Sequence, residues 1–201
     1  MRTGMADIVL CIAGSPRRNG NTDRLLAEAM RGAREAGHAV EHMVVQRLKL
    51  SGCLECGGCT RQGRCAVADD MQEVFASLDR ADHIIIATPV FFMGVPSKLK
   101  AVVDRCQVYW SRKFVRKEAV GREHPGGNGA LIAVGASSFK HLFDGSRNVV
   151  KSVLNVLEFK YRDELLVAGL DGPGDVLERP EALERAYQMG RDIALRCDAA
   201  G

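Results

Sequence analysis

Five short apolar runs alternate with amphipathic stretches along this chain. The runs at residues 6–13 and 83–88 are almost wholly apolar, as is typical of strands buried on both faces of a sheet. Residues 22–36 instead repeat leucine and alanine at helical spacing, which predicts an amphipathic helix. The predicted strands are residues 6–13, 39–48, 83–88, 129–135 and 161–168. The predicted helices are residues 22–36, 69–78, 97–110, 144–157 and 180–197.

Strands that alternate with helices predict an α/β fold with a doubly wound parallel sheet. In such a sheet the ligand binds beyond the carboxyl ends of the strands, where the strand order reverses. The loops after the first, third and fourth strands should therefore carry the function. They read GSPRRNGNT (residues 14–22), PVFFMGVP (89–96) and GASS (135–138).

Length and composition fit one such domain, predicted to span residues 1–201. The chain is 46% apolar and 26% charged, and its net charge of +3 is too small to indicate a nucleic-acid partner. No apolar run approaches the length of a membrane-spanning helix, so no membrane association is expected. Seven cysteines without a signal peptide predict a reducing compartment, the cytoplasm. A basic excursion at residues 111–128 is expected to be a solvated loop, or else a docking surface for an acidic ferredoxin.

A cysteine-rich loop at residues 50–68 carries the most specific pattern. Cys53, Cys56, Cys59 and Cys65 follow the spacing C-x2-C-x2-C-x5-C, which lets four thiolates converge on one centre, as in iron–sulfur sites. The run differs from the bacterial ferredoxin motif, which has three residues before its last cysteine and a proline after it. Structural zinc, disulfides and a metal-free reduced loop remain alternatives. The other three cysteines lie in predicted regular elements and are expected to be buried and inert.

The loop after the first strand lacks both G-x-G-x-x-G and the P-loop motif, so neither of those nucleotide sites is predicted. It offers hydroxyls, amides and a guanidinium just before a helix that Asn21 or Thr22 could cap. A helix N-terminus with such neighbours suits a phosphate monoester, although a plain turn is the alternative. The candidate residues are Ser15, Arg17, Asn19, Asn21 and Thr22.

The loop at residues 89–96 is apolar, although the topology predicts that it is exposed. Exposed apolar loops mark sites for a ligand or a partner. Its aromatic and methionine side chains suit a flat heteroaromatic ring. The alternative is that they fill the core or a subunit interface.

The three loops together resemble the flavodoxin-like NAD(P)H-dependent FMN reductase superfamily, through GSPRRNGNT and TPVFFMGVPSKLKAVVDR. The cysteine motif narrows the resemblance to its iron–sulfur flavoproteins. The resemblance implies a five-stranded sheet in the order 2-1-3-4-5 with helices on both faces. It implies that the four cysteines bind a [4Fe-4S] cluster and that the first loop binds the phosphate of FMN. The residues assigned to the flavin ring are Pro89, Val90, Phe91, Phe92, Met93 and Gly94, with Gly135 and Ser137 added from topology alone.

The function implied is that of an FMN-dependent oxidoreductase that passes electrons between the cluster and FMN. Its donor would be a ferredoxin or NAD(P)H, and it would form a homodimer or homotetramer. The chemistry would belong to the cofactors, with no side chain needed as acid or base. Two alternatives remain open: a cluster-free NAD(P)H-dependent FMN or quinone reductase, and a non-enzymatic flavodoxin-like binding module with a zinc-stiffened loop.

Overall fold

A five-stranded parallel sheet forms the centre of the computed structural model, which describes residues 6–123 and 126–195. Its strand order, β2-β1-β3-β4-β5, confirms the expected order and reverses beside β1. The prediction for Cys197 falls outside the described residues. The strands are β1 (Ile8–Ala13), β2 (Ala39–Val44), β3 (His83–Pro89), β4 (Asn128–Val134) and β5 (Lys160–Val167).

Burial follows the position of each strand in the sheet. The three central strands are buried along nearly their whole length, whereas the edge strands β2 and β5 are largely half-exposed. Apolar runs therefore identified the central strands, because a strand covered on both faces needs apolar residues at every position.

Helices cover both faces of the sheet, which confirms the doubly wound arrangement. Helices α1 and α7 pack with one core cluster, and α3, α4 and α6 pack with the other. The backbones of α1 and α7 approach closely, since a methyl group on Gly190 would overlap the carbonyl oxygen of Ala29. The helices are α1 (Asn21–Glu35), α2 (Gly58–Gln62), α3 (Met71–Arg80), α4 (Ser97–Arg105), α5 (Gln107–Trp110), α6 (Asp144–Val156) and α7 (Pro180–Asp192).

Several boundaries differ from the sequence prediction. The second strand ends at Val44 in a 3-10 turn, and the helix expected over residues 97–110 divides into α4 and α5. A π-helical turn, Ser111–Val115, then extends it into the basic excursion. Helix α2 was not predicted, because it is too short to show a period. No helix in residues 6–123 and 126–195 is long and apolar enough to cross a bilayer.

In its described residues, the basic excursion is not the solvated loop that its charge suggested. Arg112 donates to the carbonyl oxygens of Gly63 (2.9 Å) and Val120 (3.0 Å). Arg116 donates to the carbonyl oxygens of Thr60 (3.1 Å) and Arg61 (3.0 Å). These guanidinium groups therefore satisfy free carbonyls at the end of α2 and brace the cysteine loop.

Candidate flavin and cysteine sites

A cleft of about 130 Å³ lies at the carboxyl ends of β1, β3 and β4. It is the position expected for the ligand of this topology. The loop after β5 closes one side with Leu170, Asp171 and Pro173, which the sequence did not single out. Predicted flavin residues that line the cleft are Ser15, Arg17, Asn21, Thr22, Pro89, Val90, Phe91 and Gly135. Predicted residues that do not line it are Asn19, Phe92, Met93, Gly94 and Ser137.

The N-terminus of α1 opens directly on this cleft. The N-cap is Gly20, rather than Asn21 or Thr22, and no side chain caps the helix. Gly20, Asn21 and Thr22 all line the cleft. Because the first N–H groups of a helix have no intrahelical acceptor and sit at the positive end of the dipole, this end of the cleft suits a phosphate.

Two polar side chains of the first loop are partly committed to the protein itself. The Ser15 hydroxyl accepts a hydrogen bond from the backbone N–H of Arg17 at 3.2 Å, which fixes the turn. The Arg17 guanidinium donates to the carbonyl oxygen of Asp171 at 3.3 Å and remains exposed. The loop after β1 is thus tied to the loop after β5, with a positive charge beside the helix N-terminus.

Asn21 links the same two loops more strongly. Its amide nitrogen donates to the carbonyl oxygen of Gly172 at 2.9 Å. Its amide oxygen accepts hydrogen bonds from the backbone N–H groups of Gly174 (3.0 Å) and Val176 (3.2 Å). The side chain predicted to bind phosphate therefore positions the wall of the cleft, and the backbone N–H of Asn21 remains at the helix N-terminus.

The ring loop forms a tight turn. Phe91 and Gly94 exchange both of their backbone hydrogen bonds at 2.9 Å, and the two residues between them have positive φ, 46° at Phe92 and 66° at Met93. This is the geometry of a type I′ turn, which favours asparagine and glycine at those positions. Phe92 is fully exposed at the turn's tip. A backbone conformation that is unfavourable for phenylalanine therefore places the Phe92 ring in solvent.

Replacing Phe92 by glycine is expected to stabilise the isolated fold. Glycine removes the cost of a side chain at positive φ, and the exposed ring has little burial to lose, so the free energy of unfolding should rise by about 1 kcal/mol. Phe92→Ala is the matched control, because alanine removes the ring and keeps the strained backbone. Urea denaturation of both variants checks this, and equal stabilities for the two would contradict it.

A second hollow continues from the cleft beside the ring loop. It has a volume of about 400 Å³ and shares Pro16 and Phe91 with the cleft. Leu50, at the start of the cysteine loop, lies on its wall. The cleft and this hollow together form a groove with a polar end at α1 and an apolar middle. Further lining residues, none of them among those assigned to the flavin, are Gln46, Pro96, Ser97, Lys98 and Ala101.

All four cysteines of the motif line one cavity of about 290 Å³. Helix α2 lies within the loop, and Gly57 and Gly63 flank it with left-handed backbone, φ 69° and 70°. These two glycines make the tight wrapping possible, as their lack of a side chain predicts. Cys53 and Cys56 are exposed, and Cys59 and Cys65 are half-buried.

The thiols of this loop are free and spread around the cavity. None of the six described cysteines forms a disulfide. Within the two described ranges, no three His, Cys, Asp or Glu side chains are grouped closely enough to hold one metal ion. Two cysteines outside the loop, Cys11 and Cys106, are buried, and burial raises the pKa of each to about 12. The prediction that these two are buried is confirmed, and a thiol that stays protonated at neutral pH is expected to be unreactive.

Arg105, at the end of α4, lies behind the cysteine loop and lines its cavity. It is 1% exposed and donates to the Asp69 carboxylate at 2.8 Å and to the carbonyl oxygens of Ser51 (3.2 Å) and Val67 (3.1 Å). The hydrogen bond from Arg105 holds the pKa of Asp69 down at about 2. Arg105 thus closes both ends of the loop against the core.

Comparison with known proteins identifies the family of this chain. The chain matches the NADPH-dependent FMN reductase family over residues 8–158. It is 29% identical to an iron–sulfur flavoprotein of Methanocaldococcus jannaschii, covering 92% of this chain and 95% of that protein. It is 30% identical to an iron–sulfur flavoprotein of Archaeoglobus fulgidus, covering 91% of this chain and 77% of that protein.

A solved structure shows the same fold at lower identity. The NAD(P)H:quinone oxidoreductase from Methanothermobacter marburgensis superposes with a TM-score of 0.66 at 19% identity, covering 96% of this chain and 98% of that one. The sheet order agrees with the family match and with the relatives. The chain belongs to the NADPH-dependent FMN reductase family, in its iron–sulfur flavoprotein branch, and is an FMN-binding oxidoreductase with a flavodoxin-like fold.

Proposed function

We propose that this protein transfers electrons between a [4Fe-4S] cluster, held by Cys53, Cys56, Cys59 and Cys65, and FMN in the groove. The observation that carries the proposal is that four free thiols line one cavity, in a loop that also reaches the flavin groove. Leu50 lies in the groove and Cys53 in the cavity, so at most about 11 Å of extended chain separates the two sites. A one-electron centre this near to a flavin suits direct electron exchange.

The placement of the thiols favours a cluster over zinc. Four sulfurs on one zinc ion lie about 3.8 Å from each other, given a Zn–S bond of about 2.3 Å and tetrahedral geometry. The described thiols form no such group. A cluster takes one thiolate at each of four irons, so its ligands stand farther apart around a larger volume. The four cysteines around a cavity of about 290 Å³ fit that requirement better.

The protein's own residues would bind and orient the flavin. The first-turn N–H groups of α1, with Ser15 and Thr22 beside them, would receive the phosphate, and Arg17 would add positive charge. The ring would lie along Pro89, Val90 and Phe91, next to the apolar hollow. Bound FMN would supply a centre that accepts one or two electrons, while the cluster carries one.

The electron donor we propose is a ferredoxin, with NAD(P)H as the second candidate. The name of the matching family supports NAD(P)H. The exposed thiols Cys53 and Cys56 support a protein donor, since a partner can approach this end of the cavity directly.

The exposed ring loop further supports a homodimer or homotetramer, in which a second copy would cover Phe91 and Phe92.

Anaerobic purification followed by an absorption spectrum and by iron, sulfide and zinc analysis tests the proposal. We expect bound FMN together with about four irons and four sulfides per chain. Flavin with neither iron nor zinc would overturn the cluster and favour a cluster-free NAD(P)H-dependent reductase. One zinc per chain would show instead that the loop is a structural metal site. Bleaching of the flavin by NAD(P)H alone, measured in the same sample, would identify the donor.

A further inference from the structure

One nitrogen of Arg105 has no hydrogen-bond partner. Its Nη atoms donate to Asp69, Ser51 and Val67, whereas its Nε is buried without an acceptor. The only other described side-chain atom in this state is the Ser146 hydroxyl. A buried donor left unsatisfied costs about 1–3 kcal/mol, so such atoms are rare and call for an explanation.

The surroundings of this nitrogen indicate which group completes it. Arg105 lines the cavity that the four cysteines share. Besides Asp69, the side chain that interacts with its guanidinium is Cys65. An arginine side chain is always protonated in a protein, so a positive charge faces the fourth cysteine of the motif.

A sulfur that carries negative charge is a far better acceptor than a neutral thiol. The Cys65 sulfur becomes such an acceptor when it ligates iron. Hydrogen bonds to the sulfurs of a cluster and nearby positive charge favour its reduced form, because reduction adds negative charge. An arginine fixed by three other bonds gives such a hydrogen bond without reorganisation.

We propose that Arg105 is a positioning residue that reserves its Nε–H for the Cys65 sulfur and thereby raises the reduction potential of the cluster. The inference rests on the proposed function, because it requires the cluster. It assigns two separate tasks to one side chain. The Nη atoms hold the ends of the cysteine loop, and the Nε atom acts on the electron distribution of the site.

Arg105→Lys separates these two tasks. Lysine keeps the positive charge and can still pair with Asp69, but it has no donor at the Nε position. In an anaerobic redox titration of the holoprotein, followed by EPR or absorption, we expect the midpoint potential of the variant to fall. A tenfold loss in the reduced-to-oxidised ratio corresponds to about 59 mV for a one-electron couple. Full iron content with an unchanged potential would overturn the inference.

Two further variants distinguish this role from a purely structural one. Arg116→Lys also weakens a brace of the loop, at Thr60 and Arg61, but Arg116 does not line the cavity, so its cluster potential should equal that of the wild type. Asp69→Asn frees the guanidinium from its carboxylate and removes a negative charge, so its potential should rise. A structural role predicts that Asp69→Asn and Arg105→Lys shift the potential in the same direction.

The outcomes also separate this inference from the proposed function. A wild-type protein that binds no iron under anaerobic conditions would overturn both. A wild-type protein with its cluster, and equal potentials in the wild type and Arg105→Lys, would overturn the inference alone. If Arg105→Lys failed to retain iron, Asp69→Asn would decide, since a fall in its potential contradicts the role of Arg105 proposed here.

Discussion

Cys56→Ser is expected to remove the cluster and to leave the flavin in place. Iron should fall from about four per chain to less than one, because a serine hydroxyl is a poor substitute for a thiolate at an iron corner. FMN content should stay within the error of the wild type, since Cys56 lies in the cysteine cavity and not in the flavin groove. Ferredoxin-driven reduction of the flavin should then be lost. Iron and sulfide assays with flavin absorbance measure each part.

Because Cys56 is exposed, the substitution should change the free energy of unfolding by no more than about 0.5 kcal/mol. Loss of iron is therefore not expected to follow from unfolding. The matched control is Cys11→Ala, which removes a buried thiol from β1 and should leave the iron content unchanged. Wild-type iron content in Cys56→Ser would show that this cysteine is not a ligand.

The strands could be predicted from the sequence because the apolar pattern of a buried strand lies within the strand itself. Residues 83–89 and 128–134 are covered on both faces, so nearly every position is apolar and each strand can be recognised without its neighbours. The predicted ends of helices and strands were wrong where tertiary contacts decide those ends. The division between α4 and α5 at Cys106 does not change the spacing of apolar residues along the sequence. Helix α2 is held by hydrogen bonds that Arg112 and Arg116 donate to carbonyl oxygens at its end.

The two sites were predictable to different extents. The loops after β1, β3 and β4 could be predicted to meet, because parallel strands end at one edge of the sheet. The loop after β5 could not, since nothing in residues 170–173 differs from an ordinary turn. The role of Asn21 and that of Arg105 also required the structure, because each bonds to backbone more than 30 residues away. The sequence showed that residues 111–128 are basic. Only the tertiary contacts showed that arginines of this segment form hydrogen bonds within the protein.

Asn21→Ala is expected to weaken both the fold and the flavin site. The substitution removes three hydrogen bonds and leaves the buried N–H of Val176 without its acceptor. The free energy of unfolding should fall by about 2–3 kcal/mol. FMN affinity should fall as well, because the loop that carries Leu170 and Pro173 forms one wall of the cleft. Urea denaturation and flavin titration of the apoprotein give the two quantities, and Asn148→Ala, on the exposed side of α6, is the neutral control.

Asn21→Asp tests the position of the phosphate with most of the wall's hydrogen bonds kept. Aspartate still accepts the hydrogen bonds from Gly174 and Val176, and its charge suits a helix N-terminus. It loses the hydrogen bond to the Gly172 carbonyl oxygen, so the free energy of unfolding should fall by about 1 kcal/mol, less than in Asn21→Ala. The same charge would face the FMN phosphate and should weaken FMN binding by at least about tenfold, equivalent to 1.4 kcal/mol. Riboflavin, which lacks the phosphate, should bind both proteins equally. An equal loss of affinity for the two flavins would mean that the phosphate lies elsewhere. Unchanged binding of both would show that the N-terminus of α1 is not part of the flavin site.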